Sequence, residues 1–462
     1  MTAAQSPDFI HRFCLAAMAA TMLWAGPSLA QVNEAILFQN VHVIVGDGTE
    51  IAETDVLVQG DEIIEIGESP SIDGVPIRAI DLSGKTIMPA LIDAHAHLGY
   101  QSRNGWGAEY YGLENLILNL KQYAYYGFAA VFSAGSDPDD LALQLREQID
   151  TGELNVPRFL FAAGMAPPGE GPNNQFLVHT AAVERDTGMT ILRGLESVQQ
   201  AQQAVRDVAA KDIRFIKLWV DDRGGSQTKL SPDLYRTVAE QARALDIAVV
   251  IHQQSATDMP DLLAAGVDGF LHGRIGDALD TEIATTMARQ DVFIVPNLGL
   301  GELRREAIGS DPFLAPLLTT ETAARLSGGQ RAAMPNRNAA TERELQAGFQ
   351  RLLAADVDLV LGTDAGAVPD HPFGYTGHRE LEIFVRLGVP EMEALVAATA
   401  NAARHLGLSD MGQIKPGFSA DLLILDSNPL QDIRNTRRIH AVYLQGIEQD
   451  RAAIRASLIE QD

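Results

Sequence analysis

Six side chains with metal chemistry stand at the ends of short apolar runs: His95, His97, Lys217, His252, His272 and Asp364. His95 and His97 lie in Asp93-Ala-His-Ala-His, where the two-residue repeat of a strand turns both imidazoles to one face. Imidazoles so spaced can chelate one cation, although an isolated triplet of this kind reads equally as two surface histidines. Lys217 sits inside Ile213-Arg-Phe-Ile-Lys-Leu-Trp. An ammonium buried there is costly, so the lysine either snorkels to a rim or does chemistry. A neutral amine can add carbon dioxide and become a carbamate, a carboxylate able to bridge two cations; an ammonium has only donors and cannot. His252 ends Ile247-Ala-Val-Val-Ile-His and His272 ends Val267-Asp-Gly-Phe-Leu-His. Asp364 closes Leu359-Val-Leu-Gly-Thr-Asp, where it could cap a helix or serve as ligand and proton carrier. Each signal alone is ambiguous, but their joint order is what a two-metal hydrolytic centre needs. Nitrogen and oxygen donors without thiolate suit Zn²⁺, with Mn²⁺, Co²⁺ or Fe²⁺ as alternatives.

Bringing these residues together requires strands whose ends share one mouth. Eight apolar runs alternate with amphipathic stretches across residues 89–411. They are Thr86–His97, Phe128–Ala134, Arg158–Gly164, Ile213–Trp219, Ile247–His252, Val267–His272, Val292–Pro296 and Val357–Asp364. This pattern predicts an α/β fold, a (β/α)8 TIM barrel. A doubly wound open sheet would carry a glycine-rich phosphate turn after its first strand, and none is present. Residues 31–88 and 412–462 read as short strands and turns, predicting a small β-sandwich composed of both chain ends. The connections Met165–Gly194 and Leu298–Ala355 are long enough to shape a pocket at the mouth.

Residues 1–30 read as an export signal: His11 and Arg12, an apolar run from Phe13 to Trp24, then Ser28-Leu-Ala before Gln31. That run is short for a membrane span. The expected location is periplasmic or secreted, with no membrane contact after cleavage. Cys14 is the sole cysteine and lies within the signal, so the mature chain has neither disulfide nor thiolate chemistry. A net charge of −26 opposes nucleic-acid binding. The expected partner is a small-molecule substrate, and a homo-oligomer is compatible with the chain.

With these motifs in place, the chain resembles the amidohydrolase superfamily of metal-dependent hydrolases. The resemblance rests on the split terminal β-structure, Met88-Pro-Ala-Leu-Ile-Asp-Ala-His-Ala-His, the strand-four lysine, the two later histidines and Leu361-Gly-Thr-Asp. Residues 370–411 also match, and point to the branch with imidazolonepropionase-related proteins, prolidase-type carboxypeptidases and ochratoxinase-like amidases. The resemblance implies that His95, His97 and Asp364 bind one metal and that His252 and His272 bind a second. It implies a bridge by Lys217 as N6-carboxylysine. A hydroxide between the metals would attack an amide carbonyl while Asp364 shuttles the proton to the leaving nitrogen. The expected substrate is an N-acyl amino acid, a dipeptide or an amide xenobiotic. A lactonase or esterase would use the same centre. A one-metal deaminase of this fold carries a glutamate after the strand-five histidine, whereas His252 precedes Gln253-Gln254-Ser255. A barrel that had lost its metals would be a non-catalytic scaffold. For a substrate carboxylate, His179, Arg223, Tyr375, His378 and Arg379 are expected near the mouth. Tyr100, Trp106 and Trp219 would wall an apolar pocket or pack the core.

Overall fold

The computed structural model describes residues 34–273, 275–276, 278–328 and 338–459. The expected export signal lies outside them. The described residues form one compact unit. Among the described residues, no helix is long and apolar enough to cross a membrane.

The chain ends share one sheet. From the amino-terminal side come β1 (Ala35–Ile44), β2 (Glu50–Gln59), β3 (Glu62–Gly67), β4 (Ile77–Asp81) and β5 (Thr86–Pro89). Next along the chain come the parallel strands β6 (Leu91–Ala96), β7 (Phe128–Ser133), β8 (Arg158–Phe161) and β9 (Ala163–Ala166). They continue as β10 (Leu192–Gly194), β11 (Phe215–Val220), β12 (Ala248–Gln253), β13 (Gly269–Leu271) and β14 (Phe293–Val295). The carboxyl-terminal side then adds β15 (Leu422–Leu425), β16 (Ile439–Leu444) and β17 (Ile447–Glu448). β5 pairs parallel with β1 and antiparallel with β15, so one eight-stranded sheet takes strands from both ends. Hydrogen bonds join all eight of its strands. Alternate residues such as Phe38, Val56, Val58, Ile87, Leu422 and Tyr443 bury a core of their own. A bulge near Phe38 and Val41 is turned by Asn40, whose φ of 56° suits asparagine.

The parallel strands fall into two arcs, β6-β7-β8 and β10-β9-β11-β12-β13-β14. All six residues of β11 are buried, as a strand covered on both faces requires. The helix Val198–Ala210 packs Ala201, Val205 and Val208 inward and starts from a Ser197/Gln200 capping box.

Three expected strands are broken. Thr86–His97 divides at Ala90: Thr86–Pro89 joins the terminal sheet, and Leu91–Ala96 pairs with β7. Pro89 has no N–H with which to continue a ladder. Arg158–Gly164 divides at Ala162, with β8 on β7 and β9 on β11. Val357–Asp364 forms no ladder. Single bridges tie Leu359 to Ile294 and Ala365 to Ala96. Backbone bonds from Val360 N to Ile294 O (3.0 Å) and from Ala94 N to Leu361 O (2.9 Å) place it between β14 and β6. The expected ring is thus two arcs with single-bridge links in place of continuous ladders.

Gly362 explains part of this irregularity. A Cβ there would lie 2.4 Å from the Val295 side chain and 2.9 Å from His95 N. Only glycine lets the segment approach this closely.

Candidate metal centre

The first strand and the 357–365 segment are joined by a buried carboxylate. Asp93 Oδ1 accepts from the backbone N–H of His95 and of Thr363, both at 3.1 Å. Asp93 Oδ2 accepts from Tyr123 Oη at 2.7 Å and from Thr363 Oγ1 at 2.6 Å. Burial pushes Asp93 up to about 6 in spite of these donors. His95 O in turn accepts from Asp364 N at 2.6 Å. The two ends of the expected ligand set are therefore fixed to each other by backbone.

His95, His97 and Asp364 converge, each buried, with one potential donor atom apiece within 4.8 Å of the others. Asp364 Oδ1 is 3.1 Å from His97 Nε2 and 3.5 Å from His95 Nε2, and Oδ2 is 3.6 Å from His272 Nε2. Yet Oδ1 is buried and makes no hydrogen bond of acceptable geometry. Close nitrogens that miss hydrogen-bond alignment are what a carboxylate and imidazoles aimed at a common point would show. His272 and Asp364 hold left-handed backbone, with φ of 78° and 58°, as residues do when their surroundings dictate side-chain direction.

Lys217 is 1% exposed, with Nζ 3.5 Å from His95 Nε2 and 5.6 Å from the Trp219 ring centroid. Its snug seat depends on Gly135 (φ 85°), where a Cβ would come within 2.8 Å of Lys217 Cβ. Burial lowers the Lys217 amine to about 7, so a free amine is available at neutral pH. The rings of His95 and His272 stand 4.8 Å apart and those of His252 and His272 4.7 Å apart, which makes the four histidines one contiguous group. Burial, helped by neighbouring Lys217, holds His95 well below the ordinary imidazole range; burial does the same for His252 and brings His272 to about 4. Neutral imidazoles keep a lone pair for a metal. Burial would raise Asp364, but the surrounding His272, His95 and His97 together hold it well below the carboxylate range.

Outer groups orient the rings. His97 Nδ1 meets Ser136 Oγ at 2.8 Å. His95 Nδ1 faces the Asn297 side-chain amide, which with oxygen and nitrogen exchanged also accepts from Asp364 N. His252 Nε2 meets Asp221 Oδ2 at 3.1 Å, which leaves Nδ1 as its free nitrogen. Sequence reading passed over Ser136, Asn297 and Asp221. Asp221 directly follows β11, whereas Ser136 and Asn297 lie just beyond β7 and β14 with no motif of their own. The donor set suits divalent cations, with His95, His97 and Asp364 around one point and His252 and His272 beside it.

A cleft of about 350 Å³ lies over this group, lined by His97, Lys217, His252, His272 and Asp364, and by Trp219, Arg223 and Arg304. Of the residues expected at the mouth, Trp219 and Arg223 line it; the other five and Trp106 are placed elsewhere. His378 is fully buried among Phe128, Phe313 and Tyr126, and its nitrogens meet Thr436 Oγ1 and Tyr126 O. Tyr375 is buried and donates to Asp311 Oδ2. Arg379 is paired with Glu306 and Glu382. His179 Nδ1 accepts from Ala108 N, and its ring packs on Trp106. Tyr100 is a core residue whose hydroxyl donates to Ser136 O, behind His97. All five have structural partners that a linear sequence does not reveal.

The description "Amidohydrolase family" fits residues 86–447. The chain is 22% identical over 435 residues to ochratoxinase of Aspergillus niger, covering 85% of this chain and 81% of that protein. It is 24% identical over 421 residues to imidazolonepropionase of Streptomyces griseus subsp. griseus, covering 87% and 92%. A solved Xaa-Pro dipeptidase with bound methionine in its active site shares the fold, with TM-score 0.68, 22% identity, and coverage of 90% and 99%.

Proposed function

The chain belongs to the amidohydrolase family, and from that premise we propose that it is a metal-dependent hydrolase cleaving the amide bond of an N-acyl amino acid, a dipeptide or an amide xenobiotic. The observation that carries this reading is the convergence of Lys217 Nζ, His95 Nε2 and Asp364 Oδ1 within 3.5 Å steps at the base of an open cleft. His95, His97 and Asp364 would hold one divalent cation, His252 and His272 a second, and Lys217 as a carbamate would serve both. Zn²⁺ is the proposed metal. Such cations, when bound, acidify water and polarise a carbonyl.

The chain's own residues then have distinct tasks. Asp364 accepts a proton from the attacking water as the carbon–oxygen bond forms. It returns that proton to the amide nitrogen as the carbon–nitrogen bond breaks, leaving a carboxylic acid and an amine. Ser136, Asn297 and Asp221 fix ring orientation. Trp219 and Phe176 line the cleft and exclude water from one side.

The test is a panel of N-acyl amino acids, dipeptides, lactones and aryl esters, assayed alongside metal analysis. Turnover of amides in step with bound metal is expected. Turnover confined to lactones or esters, or undiminished in strong chelator, would overturn the reading. Export through residues 1–30 is part of the same proposal. Fractionation that leaves the full-length chain in the cytoplasm would remove it.

A further inference from the structure

Asn297 stands where a helix would ordinarily claim its side chain. It directly precedes the helix Leu298–Leu303, the position from which an asparagine accepts from a backbone N–H two or three residues on. Here its side chain makes no such bond. The Asn297 amide instead faces His95 Nδ1 and, with oxygen and nitrogen exchanged, also accepts from Asp364 N. Gly299 is buried, so its backbone N–H needs an acceptor from elsewhere in the chain.

Glu380 supplies it. This glutamate lies on the helix Tyr375–Arg386, is 0% exposed, and reaches a segment 81 residues earlier in the chain. Its Oε1 accepts from Leu298 N at 2.8 Å and its Oε2 from Gly299 N at 2.6 Å. The seat is tight, since a Cβ on Gly299 would lie 2.8 Å from Oε2. Burying a carboxylate is unfavourable unless its oxygens are bonded, and bonds from N–H to an ionised acceptor are among the stronger ones. The glutamate thus does for this helix what Asn297 would otherwise do.

We infer that Glu380 is a positioning residue for the candidate metal centre. By capping Leu298 and Gly299 from another helix, it releases the Asn297 side chain to orient His95. This deepens the metal-dependent reading and rests on it. With Glu380 removed, the Gly299 N–H would be buried and unpaired, and the Asn297 amide would be drawn back to cap it, away from the imidazole.

The experiment titrates the purified full-length enzyme, loaded with Zn²⁺, against a strong chelator, so that it reads metal affinity and not turnover. Glu380→Gln keeps the side-chain shape but turns one acceptor into a donor, so one of the two N–H groups goes unmet. Metal affinity should fall by about tenfold, the scale of losing a group that orients a ligand. Combined with Asn297→Ala, it should add nothing to the loss from Asn297→Ala alone, because the effect runs through that side chain. Gly299→Ala leaves Glu380 in place but crowds Oε2, and should reproduce the loss in a chain that keeps its buried carboxylate. Glu382→Gln breaks the ion pair with Arg437 on the same helix as Glu380, and should lower the urea midpoint without changing metal affinity. Wild-type affinity in Glu380→Gln or Gly299→Ala, losses that multiply in the double variant, or an equal loss in Glu382→Gln overturns the inference. Tight metal binding indifferent to Glu380 leaves the metal-dependent reading standing, whereas a wild-type enzyme that takes up no divalent cation refutes both.

Discussion

Imidazole and carboxylate groups gather at both ends of the parallel strands, and only one gathering has the character of a metal site. At the carboxyl ends stand His95, His97 and Asp364; near the amino ends of β14 and of the 357–364 segment stand Asp291, Asp358 and His405. The residue types are alike. The difference is the counter-charge. Arg404 grips Asp291 with both Nη atoms, at 2.7 and 2.9 Å, and also contacts Asp358. His405 Nε2 completes that cluster 2.9 Å from Asp358 Oδ2. Its acceptors are already spent on a guanidinium, and Asp291 is 69% exposed. At the other end, the ion-pair contacts of Asp364 among the described residues are to the imidazoles of His95, His97 and His272, and burial drives His95 and His272 toward the neutral form. Donor geometry becomes a ligand set only when no fixed cation has taken its charge.

The largest effect should come from Lys217→Ala, which would remove the proposed carbamate and with it the proposed bridge. Metal content by mass spectrometry and turnover should fall together, whereas a fully active variant with two metals would break the contrast between the ends. Asp364→Asn should lower kcat by about 10²–10⁴-fold while KM moves little, because the proposed proton carrier would be lost but the cleft would not. Asn297→Ala should weaken metal affinity by about 10–100-fold, read by chelator competition, since His95 loses the amide that orients it.

A pH dependence sharpens the comparison further. In metal-free protein the Lys217 amine sits at about 7, against 10.5 as its ordinary value. The unfolded chain therefore binds the extra proton between these limits, so stability should rise with pH across that window and be lost as pH falls through about 7. Urea midpoints of the metal-free protein should follow that slope, and Lys217→Met should flatten it. The smallest effect is expected at the other end. Arg404→Ala should cost about 1 kcal/mol or less, because half-exposed pairs are screened, and should leave metal content unchanged. A metal gained or lost in that variant would show the lower cluster to be a ligand set after all.

The placement of these residues also shows what a sequence exposes. Period-two spacing put His95 and His97 on one face, and apolar runs put Lys217 and His252 on neighbouring strands, where β11 and β12 do pair. Those are local patterns, and they were legible. The joining of both chain ends was legible as strand content, but the parallel contact of β1 with β5 and the antiparallel contact of β5 with β15 come from tertiary structure. Residues 357–364 read as a strand because they are apolar, while Gly362 and the grip of Asp93 on Thr363 hold them irregular. His378 and Tyr375 were placed at the mouth by their position after the last strand. Their partners Thr436 and Asp311 lie 58 and 64 residues away, beyond any local rule. Ser136 and Asn297 carry no motif, and only the folded chain brings them to the rings they orient.

The most direct test of the central claim is the ratio of divalent metal to protein in the purified full-length enzyme, followed by mass spectrometry during titration with a strong chelator while amide turnover is recorded. Two ions per chain, lost in step with turnover and restored by Zn²⁺, is the predicted result. An enzyme that keeps hydrolysing amides with no metal bound would contradict it.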